Sequence, residues 1–362
     1  MKLILLLSLL ITVLPVWKAF SHTIATSNVS ETKTIIDGPY VSINNDKLDF
    51  NWVCHSQAKS LSIKASSLPY SFSECGLQAN ITSLAVTEQK ITYNGDFTVA
   101  ALSDLHGQYD LMLKLLSNNK IIDENNKWGF GSNHLVINGD VLGRGDKVTE
   151  ILWFLYSLEQ QAIAAGGNLH LLLGNHEVMV LNNRLKYMHK KYLESALILK
   201  QPFSELFSQN SVLGAWIRSK NVLVKINDSL FVHGGLHPDL VNENMSLATI
   251  NNIFKENLVE SELEAPRLGM AKFLHTTNGP IWYRGYFNEI KATPEEIDRL
   301  LTYFKVARIV VGHTSQDQVV SLYQDSVIGI DTSMKRGLNG EVLFLKGDTK
   351  WRGSLNGTRY AL

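Results

Sequence analysis

The segment FTVAALSDLHG (97–107) joins an apolar run to a polar loop, and the rest of the chain repeats this pattern. Four later apolar runs, at residues 134–137, 169–173, 230–232 and 309–311, also end in loops that contain glycine with Asp, Asn or His. Short apolar runs bounded by glycine are typical of strands buried on both faces. Because α/β proteins collect functional side chains just beyond the carboxyl ends of such strands, we expect the five loops to form one site.

Helical patterns fill the gaps between these strands. Residues 110–116 and 147–165 carry apolar side chains at helical spacing. The run Thr293-Pro294-Glu295-Glu296 is a capping box with proline at the first helical position, which predicts a helix to about Phe304. An insert at 178–218 is also predicted to be helical. It either covers the site as a cap or packs as an ordinary pair of helices.

The first 21 residues predict a secretory signal peptide. Lys2 supplies the positive start, residues 3–16 are apolar, and Ala19-Phe20-Ser21 places small residues at the −3 and −1 positions for cleavage after Ser21. The apolar stretch is short for a membrane span, although an uncleaved anchor is the alternative. Cleavage would place the mature protein in the periplasm or outside the cell.

Residues 22–95 are rich in Ser, Thr and Asn and contain short alternating stretches, which predicts a small, mostly β N-terminal extension. The five loops all fall in the domain at 96–362. The two cysteines, Cys54 and Cys75, both lie in the extension. In an exported protein they predict one disulfide, worth roughly 3 kcal/mol for a loop of about twenty residues, and two reduced thiols are the alternative.

The overall charge is balanced, with 34 basic and 34 acidic residues and a formal net charge of zero. No electrostatic footprint for nucleic acid or for an anionic membrane is visible, so we expect neither as a partner after signal cleavage. Local cations must therefore bind any anionic ligand.

The five loops contain a mixed set of oxygen and nitrogen ligands. The candidates are Asp104, His106, Asp140, Asn175, His233 and His313. Such a set suits divalent Zn, Mn, Fe, Co or Ni. Each loop alone is a weak signal, and the specificity comes from the ordered series at equivalent strand ends.

The ordered motifs resemble the calcineurin-like metallophosphoesterases. They are Asp104-Leu-His106-Gly107, Gly139-Asp140-x-x-x-Arg144-Gly145, Gly174-Asn175-His176-Glu177, His233-Gly234-Gly235 and Gly312-His313-Thr314. Within this family the chain is similar to the phosphoprotein phosphatase group. Gly143-Arg144-Gly145 and Trp282-Tyr283-Arg284-Gly285 most resemble the Shewanella-like bacterial phosphatases. The resemblance covers about residues 97–335 and implies an α/β fold, a four-layer α/β/β/α sandwich of two sheets flanked by helices.

The resemblance also implies a role for each residue. Asp104 and His106 would bind a first divalent metal ion, and Asn175, His233 and His313 would bind a second. Asp140 would bridge the two ions. Arg144 and Arg284 would hold phosphate oxygens, and His176 would be the general acid. A hydroxide shared by two ions would attack phosphorus in line, and His176 would assist the leaving group. Arginine suits the phosphate because its planar fork stays protonated.

One position departs from the family pattern. Many Ser/Thr phosphatases of this group have an aspartate before the arginine, where it orients the acid histidine, but here that residue is Gly143. Either His176 is less well aligned, or Asp146 substitutes for the missing carboxylate. Because a phenol has a pKa near 10 and needs less proton assistance than a serine alkoxide, a weakened acid would cost less on phosphotyrosine.

These observations predict a phosphomonoester hydrolase, a protein phosphatase that favours phosphotyrosine in proteins, in peptides or in small aryl phosphates. A nucleotide or dinucleoside polyphosphate hydrolase on the same scaffold is the second hypothesis. A non-catalytic, exported metal-binding module is the third. It would leave Arg144, Arg284 and His176 without a role.

Overall fold

A computed structural model describes residues 34–85, 89–289 and 291–362. The predicted signal peptide at 1–21 lies outside these residues. The strands are β1 (Asp37–Asn44), β2 (Lys47–Cys54), β3 (Gln57–Lys64), β4 (Tyr70–Glu74), β5 (Leu77–Ile81), β6 (Thr92–Tyr93), β7 (Val99–Leu102), β8 (His134–Ile137), β9 (Asn168–Leu171), β10 (Leu223–Ile226), β11 (Ser229–Val232), β12 (Arg308–Val311), β13 (Val320–Leu322), β14 (Val327–Gly329), β15 (Glu341–Lys346), β16 (Thr349–Ser354) and β17 (Arg359–Ala361). The helices are α1 (Tyr109–Asn118), α2 (Val148–Ala164), α3 (Asn175–Leu181), α4 (Lys190–Leu199), α5 (Val212–Arg218), α6 (Asp239–Asn242), α7 (Leu247–Glu256), α8 (Gly269–Leu274) and α9 (Pro294–Phe304).

Two six-stranded sheets contain the five predicted strands. The first has the order β17-β16-β15-β7-β8-β9, and the second has the order β13-β14-β12-β11-β10-β6. The strands β7, β8 and β9 are parallel neighbours, as are β11 and β12. Their carboxyl ends therefore lie together at one edge of each sheet.

The sheets pack face to face, and alternation along each strand explains why. On β7, Val99 and Ala101 belong to one apolar cluster, whereas Ala100 and Leu102 belong to another. The first cluster also contains Val136, Phe231 and Val310, which come from both sheets, so it is the layer between them.

The second apolar cluster covers the outer faces of the sheets. In it, strand residues such as Ala100 and Ile309 join helix residues such as Leu115, Leu152 and Leu300. This arrangement confirms the predicted α/β sandwich. The capping box of α9 is also confirmed, because Oγ1 of Thr293 accepts from the N–H of Glu296 at 3.2 Å and the N–H of Thr293 donates to the Glu296 carboxylate at 2.9 Å. Within the described residues, no helix is both long and apolar enough to cross a membrane.

The N-terminal extension is mostly β, as predicted. It comprises the three-stranded sheet β1-β2-β3 and the hairpin β4-β5, and the predicted disulfide between Cys54 and Cys75 joins the two. The next strand, β6, lies within the predicted extension at 22–95 but pairs in parallel with β10, at an edge of the second large sheet.

The insert at 178–218 contains most of α3, all of α4 and α5, and a short 3-10 helix at Phe203–Phe207. Its helices pack mainly on the extension: ring centroids of Tyr40 and Phe207 lie 5.8 Å apart. Nζ of Lys191 lies 3.7 Å from the buried carboxylate of Asp37. The helices thus form a packed layer, whereas the segment before α4 reaches the site described below.

Candidate metal centre

The side chains of the predicted site come together where the two sheets meet. The loops after β7, β8 and β9 extend from one sheet, and those after β11 and β12 extend from the other. Buried Asn138 joins the two edges, because its amide nitrogen donates to the carbonyl oxygens of Val232 at 3.0 Å and of Val310 at 3.3 Å. No sequence pattern had indicated this role for Asn138.

The ligand loops have an unusual backbone. Asp104, His106, Asp140 and His313 all have positive φ, at 57°, 44°, 58° and 62°. Residues other than glycine seldom adopt this region, and such conformations are concentrated at functional sites, where the surrounding fold enforces them. The strain therefore supports a functional role for these loops.

Two clusters of candidate ligand atoms share Asp140. One contains His106, Asp140 and His176, the other contains Asp140, His233 and His313, and within each cluster the candidate atoms lie within 4.8 Å of one another. All of these side chains are buried. A shared carboxylate between two clusters is the arrangement expected of a residue that bridges two ions.

The predicted ligands outside these clusters lie beside them. Oδ1 of Asp104 is 3.7 Å from Nε2 of His106, and Oδ1 of Asn175 is 3.1 Å from Nε2 of His233. Nε2 of His176 is 3.9 Å from Oδ2 of Asp140, so the predicted general acid also lies at ligand distance from the shared carboxylate.

Two histidines have the charge that a metal ligand needs, and a hydrogen bond indicates the tautomer of one of them. Burial lowers the pKa of His106 to about 3 and that of His313 to about 2, so both are neutral at pH 7. Nδ1 of His106 lies 2.9 Å from the carbonyl oxygen of Leu142, to which it donates in this tautomer, leaving the Nε2 lone pair free. Nε2 of His313 is buried and has no hydrogen-bond partner among the described residues.

Burial and neighbouring charges also shift the pKa values of the two aspartates. Burial and the nearby Asp331 raise the pKa of Asp104 well above its ordinary value. For Asp140, burial is outweighed by His233 and His176, which hold its pKa well below the ordinary value. Burial likewise opposes the charge of His233, but Asp140 raises the pKa of that imidazole to about 10. The proton on His233 offsets negative charge that a cation would otherwise offset.

Glu177 fixes the loop that carries Asp140. Its carboxylate accepts from the backbone N–H groups of Asp140, Val141 and Leu142 at 2.8–3.0 Å, and also from Gly174 at 2.8 Å. Its link to a loop 36 residues earlier depends on tertiary packing, which no sequence motif specifies.

The candidate phosphate contacts lie beside the clusters. Nη1 of exposed Arg284 donates to the carbonyl oxygen of His313 at 3.1 Å and to Oγ1 of Thr314 at 3.2 Å. A cavity of about 400 Å³ is lined by Arg284, Trp282 and Tyr283. Arg144 is exposed too, and its guanidinium carbon lies 5.1 Å from the ring centroid of Tyr187.

Gly143 and Asp146 bear on the question of which group orients His176, the predicted general acid. Gly143 contacts the His176 ring directly, and Asp146 is partly buried two residues beyond Arg144. The substitution of Asp146 for an orienting carboxylate stays a prediction. No sequence pattern pointed to Tyr187 or Lys335. Burial lowers the pKa of His176, and the charge of Lys335 adds to the effect.

These residues fit divalent metal ions. The orphaned Nε2 of His313, the neutral imidazoles of His106 and His313 and the shared carboxylate of Asp140 form a buried set of metal-ligand atoms. Asp104 and His106 would hold one ion, Asn175, His233 and His313 another, with Asp140 common to both.

Comparison with known proteins supports the same class. A family model for calcineurin-like phosphoesterases matches residues 97–317. The crystal structure of a cold-active protein tyrosine phosphatase from a psychrophilic Shewanella species is 40% identical, covers 91% of this chain and 100% of its own, and has a TM-score of 0.86. Shewanella-like protein phosphatase 2 of Arabidopsis thaliana is 25% identical over 69% of this chain and 75% of its own length. The symmetrical bis(5'-nucleosyl)-tetraphosphatase of Pasteurella multocida is 27% identical over 45% of this chain and 55% of its own.

The chain therefore belongs to the calcineurin-like phosphoesterase family, and it is a metal-dependent phosphatase. Within that family it is similar to the Shewanella-like protein phosphatases, which confirms the resemblance inferred from the segments around Arg144 and Arg284.

Proposed function

We propose that this phosphatase hydrolyses phosphotyrosine in proteins or peptides and uses two divalent metal ions. The observation that carries the proposal is Asp140, a buried carboxylate shared by two clusters of ligand atoms, with Arg144 and Arg284 beside them. Two ions held there would lower the pKa of water to generate a nucleophile at neutral pH and would offset charge on the phosphoryl oxygens.

The protein groups have distinct tasks in this proposal. Arg144 and Arg284 bind the equatorial phosphate oxygens, where guanidinium forks offset the charge that develops during transfer. His176 donates a proton to the leaving oxygen. Burial lowers the pKa of the His176 imidazole, so its protonated form is a stronger acid than an exposed imidazolium.

The preference for phosphotyrosine rests on the leaving group. A phenolate needs less proton assistance than a serine alkoxide. Gly143 gives His176 no carboxylate partner at that position, and a less well aligned acid costs least on aryl esters. The 40% identity to a protein tyrosine phosphatase over 91% of the chain supports the same substrate class.

A substrate panel tests this proposal. We expect phosphotyrosine peptide to be hydrolysed at least about tenfold faster than phosphoserine peptide, and both faster than ATP or diadenosine tetraphosphate. Asp140→Asn should abolish turnover and lower the bound-metal content while the protein remains folded. Equal rates on the two peptides would contradict the tyrosine preference, and faster nucleotide hydrolysis would favour the second hypothesis. Metal analysis of the purified enzyme measures the number and identity of the ions.

We also propose that the protein is exported, with residues 1–21 removed. The disulfide between Cys54 and Cys75 supports an oxidising compartment. Mass spectrometry of the mature N-terminus tests this proposal: cleavage after Ser21 is expected, and a chain that retains Met1 in the cytoplasm would contradict it.

A further inference from the structure

Tyr187 contacts both His176, which protonates the leaving group in the proposed function, and Arg144, which binds the phosphate. Its ring centroid lies 5.3 Å from that of His176, with a 34° angle between the planes. The guanidinium carbon of Arg144 lies 5.1 Å from the same centroid. The backbone strengthens this link, because the N–H of Arg144 donates to the carbonyl oxygen of Tyr187 at 2.6 Å.

The His176 ring lies between two aromatic neighbours. The ring of His106 contacts it edge-on, with centroids 4.6 Å apart, and Tyr187 packs against it from the insert. Near Nδ1 lies Gly143, where an added Cβ would come within 3.1 Å of Cε1 and closer still to Nδ1. A carboxylate attached at position 143 therefore has no room in this arrangement, and another group must orient the imidazole.

The position of Tyr187 is fixed from outside the site. Five residues further along the chain, fully buried Tyr192 accepts a hydrogen bond from the N–H of Val148 through its hydroxyl, at 2.5 Å. The adjacent Lys191 lies 3.7 Å from buried Asp37 in β1. The N-terminal extension thus holds the insert in place at the start of α4, just after Tyr187.

We propose that Tyr187 is the positioning residue for His176 and Arg144, and that its ring packing performs the task of the carboxylate that position 143 lacks. An aromatic face holds an imidazole and a guanidinium by stacking and cation–π attraction, without fixing a proton on Nδ1. The proposal rests on the proposed function, since it requires His176 to act on the leaving group.

The side chain can be tested separately from the backbone contact. Tyr187→Phe keeps the ring, Tyr187→Leu removes it, and neither change alters the carbonyl oxygen that accepts from Arg144. Leu197→Ala is a matched control, because this residue lies on α4 and is 77% exposed. The full-length, metal-loaded enzymes are compared on phenyl phosphate and on 4-nitrophenyl phosphate, whose leaving group is much more acidic.

We expect Tyr187→Phe and Leu197→Ala to stay within about twofold of the unmodified enzyme on both substrates. Tyr187→Leu should lose at least about tenfold in kcat on phenyl phosphate but less than about threefold on 4-nitrophenyl phosphate, because only the poorer leaving group needs the aligned acid. Its KM should rise for both substrates as Arg144 loosens.

Two results would overturn the proposal, and a third separates it from the proposed function. Equal loss of kcat on both substrates would indicate a merely structural role, and a Phe variant as impaired as the Leu variant would exclude ring packing. His176→Ala is measured in parallel. If that variant were fully active on phenyl phosphate, the acid role would fail and the positioning role with it. If it were impaired while Tyr187→Leu was unaffected, only the positioning role would fail.

Discussion

Gly143 lies directly against Nδ1 of His176, and the space between them has no room for a side chain. An ideal Cβ at this position would overlap Nδ1 and come within 3.1 Å of Cε1 and 3.5 Å of Cγ. The φ angle of Gly143 is 85°, which residues with a Cβ also disfavour. The His176 imidazole can therefore occupy its position only because residue 143 has no side chain.

Gly143→Ala should separate activity from stability. The added Cβ must displace His176, so we expect kcat on phenyl phosphate to fall at least about tenfold. The backbone conformation costs about 1 kcal/mol of unfolding free energy. Gly166→Ala is the control: its φ is 77°, and an added Cβ would meet no described atom within 4 Å. It should show only the backbone part of the stability loss, with full activity. If both variants were fully active, His176 would not need its present position.

Glu177→Gln should destabilise the loop that carries Asp140. Each carboxylate oxygen accepts from two backbone N–H groups, and the amide nitrogen of glutamine would face two donors instead. We expect a loss of about 2–4 kcal/mol in unfolding free energy by urea titration, together with reduced activity. Glu260→Gln, at a half-exposed ion pair with Arg184, should cost less than about 1 kcal/mol. Equal costs for the two variants would contradict the bracing role.

The neighbouring histidines His134 on β8 and His170 on β9 should make the stability of the fold sensitive to acid. Nε2 of His170 lies 3.0 Å from Nδ1 of His134, and both rings are buried. Burial lowers the pKa of His134 to about 4 and holds that of His170 well below its ordinary value. Because folding disfavours the charged form, their stabilisation is complete above about pH 6.5 and declines as the pH falls towards 4. For His134 the loss is up to about 3 kcal/mol.

Urea titrations at pH 7 and pH 4.5 measure this effect. His134→Gln should be less stable than the unmodified protein at pH 7 but should lose less stability between the two pH values. His55→Asn, at an exposed position in the extension, should leave the pH dependence unchanged. The same pH dependence in all three proteins would exclude His134 as a source of the acid sensitivity.

Loss of the disulfide should affect stability more than catalysis. The bond closes a loop with a sequence separation of 21, so Cys54→Ser with Cys75→Ser should lower the unfolding free energy by about 3 kcal/mol. The candidate ligands all lie outside the extension that the bond closes, so kcat should stay within about twofold. A reductant should destabilise the unmodified protein and leave the double variant unchanged. If the reductant affected both equally, the bond would not be the cause.

Local signals in the sequence predicted the parts of the fold that local chemistry determines. The apolar runs before Asp104, Asp140 and His313 are strands, and the capping box at Thr293 begins a helix that ends at Phe304. Each of these signals depends on side chains within a few residues of one another. The ordered loops were therefore sufficient to predict which candidate ligand residues lie together.

Tertiary contacts determine the rest, and the sequence did not reveal them. Nothing near Tyr187 in the chain indicates that its ring contacts Arg144, which lies 43 positions earlier. The reach of Glu177 to the Asp140 loop and the packing of the insert on β1 likewise appear only once the sheets and the extension have assembled. Short edge strands such as β6 carry too little periodicity to be predicted separately.

The division of the candidate ligands between the two sheets has a consequence for the newly made chain. Asp104, His106, Asp140 and Asn175 follow strands of one sheet, while His233 and His313 follow strands of the other. A chain whose sheets have not yet packed together can bring at most four of these six residues into one place. We therefore expect the chain to gain hydrolytic activity only when the sandwich closes.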